Sequence, residues 1–317
     1  MPSPLGKGDR LRREASPVRA VDEVNNKRID FMIDLHVHST VSDGTYTPRD
    51  IVDLAKEKGL EAVTLTDHES IAGNGEAADE AKKLGVNFIN GMEMTVAYED
   101  HKLHIVCLGF DEANPDFKQL YAKIRHNKEK NMDQVVEYIQ SKGLDITMEK
   151  VKKHAAVHLD RYAIMRTMVA MNLPCKIQTL WDEYLNPGLK EAGVYGDISA
   201  EEALPVIRKA GGVTSLAHYH KDIGMKGWSW VKKEESLKEL MSFGLDGMER
   251  YYPNYSPEDA EFAARMIEKY NMLATGGTDF HGANRRGIEL GTGHEGNMNV
   301  PYEFYEKILT RLGDRKC

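Results

Sequence analysis

Two histidines separated by one valine, His36 and His38, stand directly after the short apolar run FMIDL. If that run is a buried strand, both imidazoles leave the chain on the same face, because side chains at i and i+2 of a strand share a face. Neutral imidazole is the commonest metal ligand in proteins, and two of them on one face can chelate a single ion. The spacing alone fits two partly buried histidines near a turn equally well. The residues at the other predicted strand ends are therefore needed to distinguish a metal site from this alternative.

Residues of metal-ligand type also stand at nearly all of the remaining apolar runs of the chain. The segments TLTDH, GMEMT, HKLHIV, SLAHYH and GGTDFHG add Asp67 and His68, Glu93, His104, His218 and His220, and Asp279 and His281. Burying several imidazoles and carboxylates together is unfavourable unless a cation compensates them. The pattern therefore indicates a metal site to which several strand ends contribute, rather than unrelated surface polar residues.

Alternating strand and helix patterns supply the elements that would position these residues. Short apolar runs alternate with helical patterns from Met32 to about Phe110, and the alternation resumes after Ser199. The runs VNFINGMEMTV and KLHIVCLGF are close enough in the chain to pair as neighbouring strands. We therefore expect an α/β fold that places its chemistry at the carboxyl ends of its strands.

Helical patterns without strands fill the stretch between Asn114 and about Gly196. Its stripes of Leu, Ile, Val and Met are more typical of core packing than of a cofactor site. The first thirty residues are polar and charged and lack the apolar stretch of a secretory signal. The predicted domain organisation is a flexible extension over 1–30, an α/β domain formed by 31–112 and 197–317, and a helical insertion over 113–196.

Composition limits the partners and the location. Of the 317 residues, 41% are hydrophobic and 29% charged, and no window approaches the ~18 apolar residues that suggest a membrane span. Cys107, Cys175 and Cys317 form no C-x-x-C motif, which argues against disulfides and thiolate zinc sites and favours the cytoplasm. A formal net charge of −8 argues against a long nucleic-acid groove but allows a small phosphorylated substrate.

The ordered set of motifs resembles the PHP (polymerase and histidinol phosphatase) family of phosphoesterases. The segments DLHVHSTVSDG, TLTDHESI, GMEMT, HIVCLGF, LAH and GGTDFHG carry the resemblance and run in the family's order from Asp34 to Gly282. Together with ERYYPNYSPEDAE, they are most similar to the stand-alone branch that contains nucleoside 3',5'-bisphosphate phosphatases and a 5'-to-3' exonuclease on short RNA. The resemblance implies a distorted seven-stranded β/α barrel with three metal ions at the carboxyl ends of its strands.

Nine metal ligands are implied by the resemblance. His36, His38, Glu93 and Asp279 would hold one ion, Glu93 would bridge to a second ion held also by His104 and His218, and Asp43, His68 and His281 would hold the third. Imidazoles and carboxylates without a thiolate suit manganese, iron(II) or zinc. Closely spaced dications make hydroxide available near neutral pH and clamp phosphoryl oxygens, so we expect hydrolysis by a metal-activated hydroxide. We assign the catalytic roles to Glu93, His218 and Asp279.

Substrate-facing residues are predicted where the chain departs from the family pattern. Relatives carry Arg-Pro-His in the insertion, where it meets substrate phosphate, whereas here Arg161 is followed by Tyr162 and Ala163. Relatives also have a proline after the ligand histidine of LAH, whereas this chain continues Tyr-His-Lys and so adds His220 and Lys221. We expect Arg161, His220 and Lys221 to bind substrate phosphate. The alternative for Arg161 is a surface arginine paired with an acid.

These observations favour a metal-dependent phosphoesterase acting on a nucleoside 3',5'-bisphosphate or on the 5' end of a short oligonucleotide. A histidinol-phosphate-type monoesterase is the alternative within this class. From a different class, a non-catalytic nucleotide-binding module or an accessory domain of a replication complex stays open, although such a module would be expected to lose ligands. Asp34 and Asp67, which stand beside ligands, either orient imidazoles or are ordinary strand-end acids.

Overall fold

The structure is a computed structural model that describes residues 32–194 and 198–315, so the predicted extension over 1–30 lies outside the described residues. The strands are β1 Met32–Asp34, β2 Leu60–Thr64, β3 Asn87–Ile89, β4 Gly91–Tyr98, β5 His101–Leu108, β6 Ile198–Ser199, β7 Val213–Leu216, β8 Gly247–Tyr251, β9 Leu273–Gly276, β10 Ile288–Glu289 and β11 Gly293–His294. The helices are α1 Pro48–Glu57, α2 Asn74–Leu84, α3 Pro115–Glu129, α4 Met132–Ser141, α5 Met148–Lys153, α6 Arg161–Ala170, α7 Ile177–Thr179, α8 Asn186–Glu191, α9 Ala200–Lys209, α10 Trp230–Phe243, α11 Pro257–Tyr270 and α12 Tyr302–Asp314. A π-helical segment, Leu180–Leu185, joins α7 to α8.

Two sheets contain the strands that lead to the predicted ligands. In the first sheet, β1, β2 and β3 pair in parallel. The second sheet has the order β6-β4-β5-β7-β8-β9, in which β5 runs antiparallel to both of its neighbours and the other pairs are parallel. The fold is therefore mixed α/β, as predicted, and the predicted pairing of the runs that form β4 and β5 is confirmed.

The predicted closed barrel of seven strands is not confirmed, because the strand pairing leaves the six-stranded sheet open. Isolated parallel bridges connect the two sheets instead: Val37 pairs with Phe280, and His68 pairs with Glu93. Both bridges involve chain that continues beyond a short strand, since β1 already ends at Asp34 and β2 at Thr64. The bridges bring together the strand ends that carry the candidate site.

Local signals explain how the first loop and its helix hold the two histidines. Thr47 caps α1, accepting a hydrogen bond from the Asp50 N–H while the Asp50 carboxylate accepts one from the Thr47 N–H, and Pro48 occupies the first helical position. The apolar face of α1, including Ile51, is buried in one hydrophobic cluster with Val37. Because Val37 is anchored in this core, the flanking histidines point away from it.

The helices from α3 to α8 lie between β5 and β6. A hydrophobic cluster built from residues 132–194 fills the space between most of them, whereas Phe117 of α3 packs into the cluster of the main sheet. The long helical pattern after Asn114 is interrupted at Asn131, which adopts a left-handed φ of 59° between α3 and α4. The domain boundaries at 113 and 196 stay a prediction. None of the helices in the described ranges is long and apolar enough to cross a membrane.

Candidate metal centre

The nine predicted ligands converge where the two isolated bridges join the sheets. Their ligand atoms form four overlapping groups, each with its atoms within 4.8 Å of one another, and these groups contain His36, His38, Asp43, His68, Glu93, His104, His218, Asp279 and His281 and no other described residue. Glu93 and His104 lie on β4 and β5, and the other seven lie in loops that follow β1, β2, β7 and β9. The strand ends therefore meet as the sequence pattern predicted.

Glu93 lies at the middle of this cluster and is fully buried. Its Oε1 lies 2.9 Å from His104 Nδ1 and 3.0 Å from His218 Nε2. Its Oε2 lies 2.9 Å from His68 Nδ1 and 3.4 Å from His38 Nε2. One carboxylate thus contacts imidazoles from all three ligand sets that the resemblance implies, which is the position required of a bridging ligand.

Asp43 is brought to the cluster by a tight turn. Its Oδ1 lies 3.3 Å from His281 Nε2, and its Oδ2 lies 3.7 Å from His68 Nε2. The turn needs glycine at position 44, because a Cβ there would lie 2.2 Å from the carbonyl oxygen of His38. Two atoms that each lie about 2.1 Å from one ion are about 3 to 4 Å apart, so these separations suit a shared cation.

Asp279 presents its two carboxylate oxygens to different partners. Its Oδ1 lies 3.2 Å from His38 Nε2, facing the cluster. Its Oδ2 accepts hydrogen bonds from Tyr252 Oη at 2.7 Å and Lys221 Nζ at 3.0 Å, and it lies 2.8 Å from Arg285 Nη1. The sequence analysis missed Tyr252 and Arg285 in this role, because neither stands in a ligand motif. Together the three groups fix the carboxylate so that Oδ1 points at the imidazoles.

Many buried polar atoms of the cluster make no hydrogen bond of suitable geometry, even where two of them lie 2.9 Å apart, as His68 Nδ1 and Glu93 Oε2 do; this costs free energy unless something else binds them. They are His36 Nε2, His38 Nε2, Asp43 Oδ1, His68 Nδ1, Glu93 Oε2, both ring nitrogens of His104 and His218 Nδ1; in the rest of the described chain only His220 Nδ1 and Ser236 Oγ share this condition. Imidazole nitrogens and carboxylate oxygens without sulfur fit divalent transition ions. The residues present therefore fit a metal centre.

Mutual electrostatics set the protonation states of the cluster. Burial alone would raise the pKa of Glu93, but the imidazoles around it, His104 foremost, hold that pKa well below its ordinary value. Burial and the neighbouring His281 lower the pKa of His38 to about 3. For His68, burial is outweighed by Glu93, and the pKa rises to about 9. Carboxylate ligands are thus ionised, while a cation at His68 has to displace a proton.

Asp34 and Asp67 are buried, but their contacts are with loop backbone and hydroxyl groups rather than with imidazole rings. Asp67 accepts hydrogen bonds from the backbone and side chain of both Ser39 and Ser42, at 2.6 to 3.2 Å. Asp34 accepts from the Thr278 hydroxyl at 2.6 Å and from the Gly291 N–H at 2.9 Å. Each carboxylate therefore holds the loops that carry the ligands in place.

Glu249, on β8, makes the imidazole contact that was one of the two alternatives for Asp34 and Asp67. Its Oε1 lies 2.6 Å from His36 Nδ1, and its Oε2 accepts a hydrogen bond from the His218 N–H. A carboxylate on one ring nitrogen fixes the tautomer and leaves the other nitrogen for a metal. The sequence analysis missed Glu249, although an acid inside the apolar run LDGMERYY was a usable signal.

The cluster forms the floor of a cleft, and the helical insertion forms its opposite wall. Two adjoining cavities, of about 1050 Å³ and about 690 Å³, share Asp43, His68, Tyr162, Trp181 and Lys221 among their lining residues. The first two residues belong to the floor, and Tyr162 and Trp181 belong to the insertion. A ligand bound over the floor would therefore also touch the insertion.

The three predicted phosphate-binding residues all line the larger cavity, but two of them already have acidic partners. Arg161 Nη2 donates to Glu69 Oε2 at 3.2 Å, and Lys221 Nζ donates to Asp279 Oδ2 at 3.0 Å. Burial lowers the pKa of His220 to about 4, so its imidazole is neutral at pH 7. The geometry places these side chains where a substrate would bind, and their part in binding stays a prediction.

Comparisons with known proteins agree with this site. A PHP domain is matched over residues 34–187. A 5'-3' exoribonuclease of Haemophilus influenzae is 30% identical over 251 residues, which cover 78% of this chain and 89% of that protein. A 3',5'-nucleoside bisphosphate phosphatase of Chromobacterium violaceum is 29% identical over 264 residues, 82% of this chain and 90% of that protein.

A solved structure is similar over most of the chain. It comes from a Bifidobacterium adolescentis protein assigned as a metal-dependent phosphoesterase, with a TM-score of 0.74 and 26% sequence identity over 88% of this chain and 96% of that chain. The fold, the ligand cluster and these relatives define a metal-dependent phosphoesterase, a hydrolase that acts on phosphate esters. The chain belongs to the PHP-domain family, as its motifs predicted.

Proposed function

We propose that this enzyme hydrolyses a nucleoside 3',5'-bisphosphate or acts at the 5' end of a short oligonucleotide. The observation that supports this proposal is the cleft, whose lining beside the ligand cluster contains one group of basic side chains and one group of apolar side chains. Such a cleft is complementary to a substrate that joins phosphate groups to a flat, weakly polar ring. The relatives named a bisphosphate phosphatase and an exoribonuclease support the same class of substrate.

The cationic side of the cleft suits a substrate with more than one phosphate. Five basic side chains line the larger cavity: Lys102, Arg161, Lys190, Lys221 and Lys226. A phosphate monoester carries a charge of about −1.5 to −2 at pH 7, so several cations are needed to attract and neutralise two such groups. Arg161, Lys221 and Lys226 already lie beside Glu69, Asp279 and Asp222, so a bound phosphate would share these cations with carboxylates.

The apolar side of the cleft suits a nucleobase. Met165, Val169, Ala170, Ile177 and Trp181, which we name the apolar ledge, line the smaller cavity beside the floor. Val169 and Ile177 are 39% and 36% exposed, so the ledge presents apolar surface to the cleft. Covering that surface with a base removes it from water and stabilises the complex. The small imidazole of histidinol phosphate would cover less of the ledge, which favours the nucleotide over this alternative.

In the proposed mechanism the floor residues would hold divalent ions in the three ligand sets predicted from the sequence, with Glu93 shared between two of them. Bound ions would polarise phosphoryl oxygens and supply a nucleophile near neutral pH. Glu93, His218 and Asp279 would take part in catalysis as ligands of those ions. Arg161 and Lys221 bind a phosphate group that is not cleaved, and Tyr162 and Trp181 exclude water from the floor.

A hydrolysis screen that measures both released phosphate and released nucleotides tests this proposal, because cleavage at the 5' end of an oligonucleotide yields a nucleotide rather than free phosphate. Manganese-loaded enzyme is assayed on nucleoside 3',5'-bisphosphates, nucleoside monophosphates, histidinol phosphate and di- to pentanucleotides, with Glu93→Gln protein prepared in parallel to exclude a contaminating phosphatase. We expect the highest kcat/KM on a bisphosphate or a short oligonucleotide. A preference for histidinol phosphate, or hydrolysis of none of these compounds, would contradict it.

A further inference from the structure

Tyr162, the second residue of α6, reaches from the insertion to the floor of the cleft. Its ring stacks on His68, with ring centroids 5.4 Å apart and planes 9° from parallel, and its other neighbour is the Trp181 ring at 6.1 Å. The side chain is only 4% exposed, yet it lines both cavities beside Asp43. Stacking and burial therefore hold the phenol in one orientation next to the candidate metal centre.

The hydroxyl of Tyr162 accepts a hydrogen bond from Arg161 Nη2 at 2.7 Å. The same nitrogen lies 3.2 Å from Glu69 Oε2, so one end of the guanidinium is held between the carboxylate and the phenol oxygen. Because the phenol oxygen accepts from Arg161, its proton is directed towards a different acceptor. A cationic donor on the oxygen also polarises the O–H bond and makes it a stronger donor.

We propose that Tyr162 contacts the substrate, and that its O–H donates to a phosphoryl oxygen bound over Asp43 and His68. The inference rests on the proposed function, since the acceptor is the oxygen of a phosphate ester or of the phosphate product. In this arrangement Arg161 donates to the Tyr162 oxygen, and the Tyr162 hydroxyl is the directional donor to the phosphoryl oxygen over the floor. Stacking on His68 sets the direction in which the hydroxyl points.

The test compares two Tyr→Phe variants with wild-type protein, all loaded with manganese. Tyr162→Phe keeps the ring that stacks on His68 and removes only the hydroxyl. Tyr98→Phe is the matched control, because Tyr98 is 5% exposed and its hydroxyl binds Glu239 Oε2 at 2.5 Å, but it lines neither cavity. Affinity for inorganic phosphate is measured by titration calorimetry, and manganese per chain by elemental analysis.

We expect Tyr162→Phe to retain wild-type manganese content and to bind phosphate at least tenfold more weakly, while Tyr98→Phe binds phosphate as the wild type does. Phosphate affinity of Tyr162→Phe within twofold of wild type would overturn the inference. A loss of manganese that accounts for the weaker binding would also overturn it, because Tyr162 would then act only through His68. So would a manganese-loaded wild-type protein that binds no phosphate.

Calorimetry with inorganic phosphate requires no turnover, which separates this inference from the proposed function. If the wild-type enzyme cleaves none of the nucleotides but Tyr162→Phe still lowers phosphate affinity tenfold, the proposed function fails and the inference stands. If nucleotides are cleaved while both variants bind phosphate equally well, the inference fails and the proposed function stands.

Discussion

The floor and the insertion wall of the cleft differ in how far their buried polar groups are hydrogen-bonded. On the floor, buried atoms such as His38 Nε2 and Glu93 Oε2 lack a hydrogen-bond partner. In the insertion, charged groups pair with one another: Arg125 Nη2, on α3, donates to Asp160 Oδ2, at the start of α6, at 2.9 Å. The floor is thus arranged for cations that the chain does not supply, whereas the wall satisfies its own charges.

Backbone conformation also differs between the floor and the wall. On the floor, His218 and Asp279 adopt positive φ angles of 24° and 53°, a conformation that costs a residue with a Cβ about 1 kcal/mol or more. On the wall, the non-glycine residues with positive φ angles are Asn131 and Asn172, and asparagine adopts this conformation readily. Two predicted ligands on the floor thus carry backbone strain, as do Glu69, Glu99 and Glu295 outside the ligand set.

The largest effect is expected from Glu93→Gln. Removing the negative charge at the centre of the floor should lower turnover about a thousandfold or more, because the carboxylate would lie between two cations. Turnover of p-nitrophenyl phosphate and the melting temperature are measured together, and we expect the fold to be retained. Glu289→Gln, an exposed surface substitution, serves as the control. Near-normal turnover of Glu93→Gln would rule out the bridging role.

A smaller effect is expected from Glu249→Gln, which weakens the support of the floor without removing a ligand. Loss of the carboxylate beside His36 Nδ1 should reduce manganese affinity by about 10- to 100-fold. Competition with a chelator measures that affinity, and added manganese should restore most of the turnover. An affinity equal to that of the wild type would show that Glu249 does not tune the site.

On the wall, Arg161→Ala should affect one kind of substrate. If the guanidinium grips a phosphate that is not cleaved, kcat/KM for a nucleoside bisphosphate should fall by about 2 kcal/mol, or roughly thirtyfold. Turnover of p-nitrophenyl phosphate, which has no second phosphate, should barely change. Lys153→Ala, at an exposed position, is the control. Equal losses on both substrates would place Arg161 at the reacting phosphorus, and no loss on either would remove it from substrate binding.

The smallest effect is expected on the apolar ledge. Ile177→Ala should raise KM for a nucleotide by three- to tenfold, on the order of 1 kcal/mol for the lost apolar contact, with an unchanged melting temperature. Val157→Ala, 55% exposed but outside both cavities, should change neither quantity. If the Ile177 variant keeps the wild-type KM, the ledge does not contact the base.

Sequence patterns led to the residues that converge on the floor because seven of them lie in loops that follow strands, and the ends of strands meet in an α/β fold; Glu93 and His104 lie within β4 and β5. His36 and His38 illustrate this: they follow β1 rather than lying on it, yet the buried Val37 still directs both rings to one side, with centroids 5.2 Å apart. The contact of Glu249 with His36 spans 213 residues, so the acid inside the run LDGMERYY could mark the residue but could not identify its partner.

The wall was less predictable because its contacts depend on tertiary packing. The partner of Arg161 is Glu69, 92 residues away, so neither the pairing nor its burial can be read from the local charge pattern. The apolar run that predicted one strand forms β3 and β4, which belong to different sheets and are separated at Asn90. Periodicity predicts that an element exists, while its end depends on the partners that it finds.

The central claim is that the floor binds more than one transition ion, and elemental analysis of gently purified protein tests it most directly. The number of manganese, iron and zinc ions per chain is measured without added metal and again after reconstitution with manganese. We expect more than one ion per chain in both samples, approaching three after reconstitution. A stoichiometry at or below one ion per chain in the reconstituted protein would contradict the account.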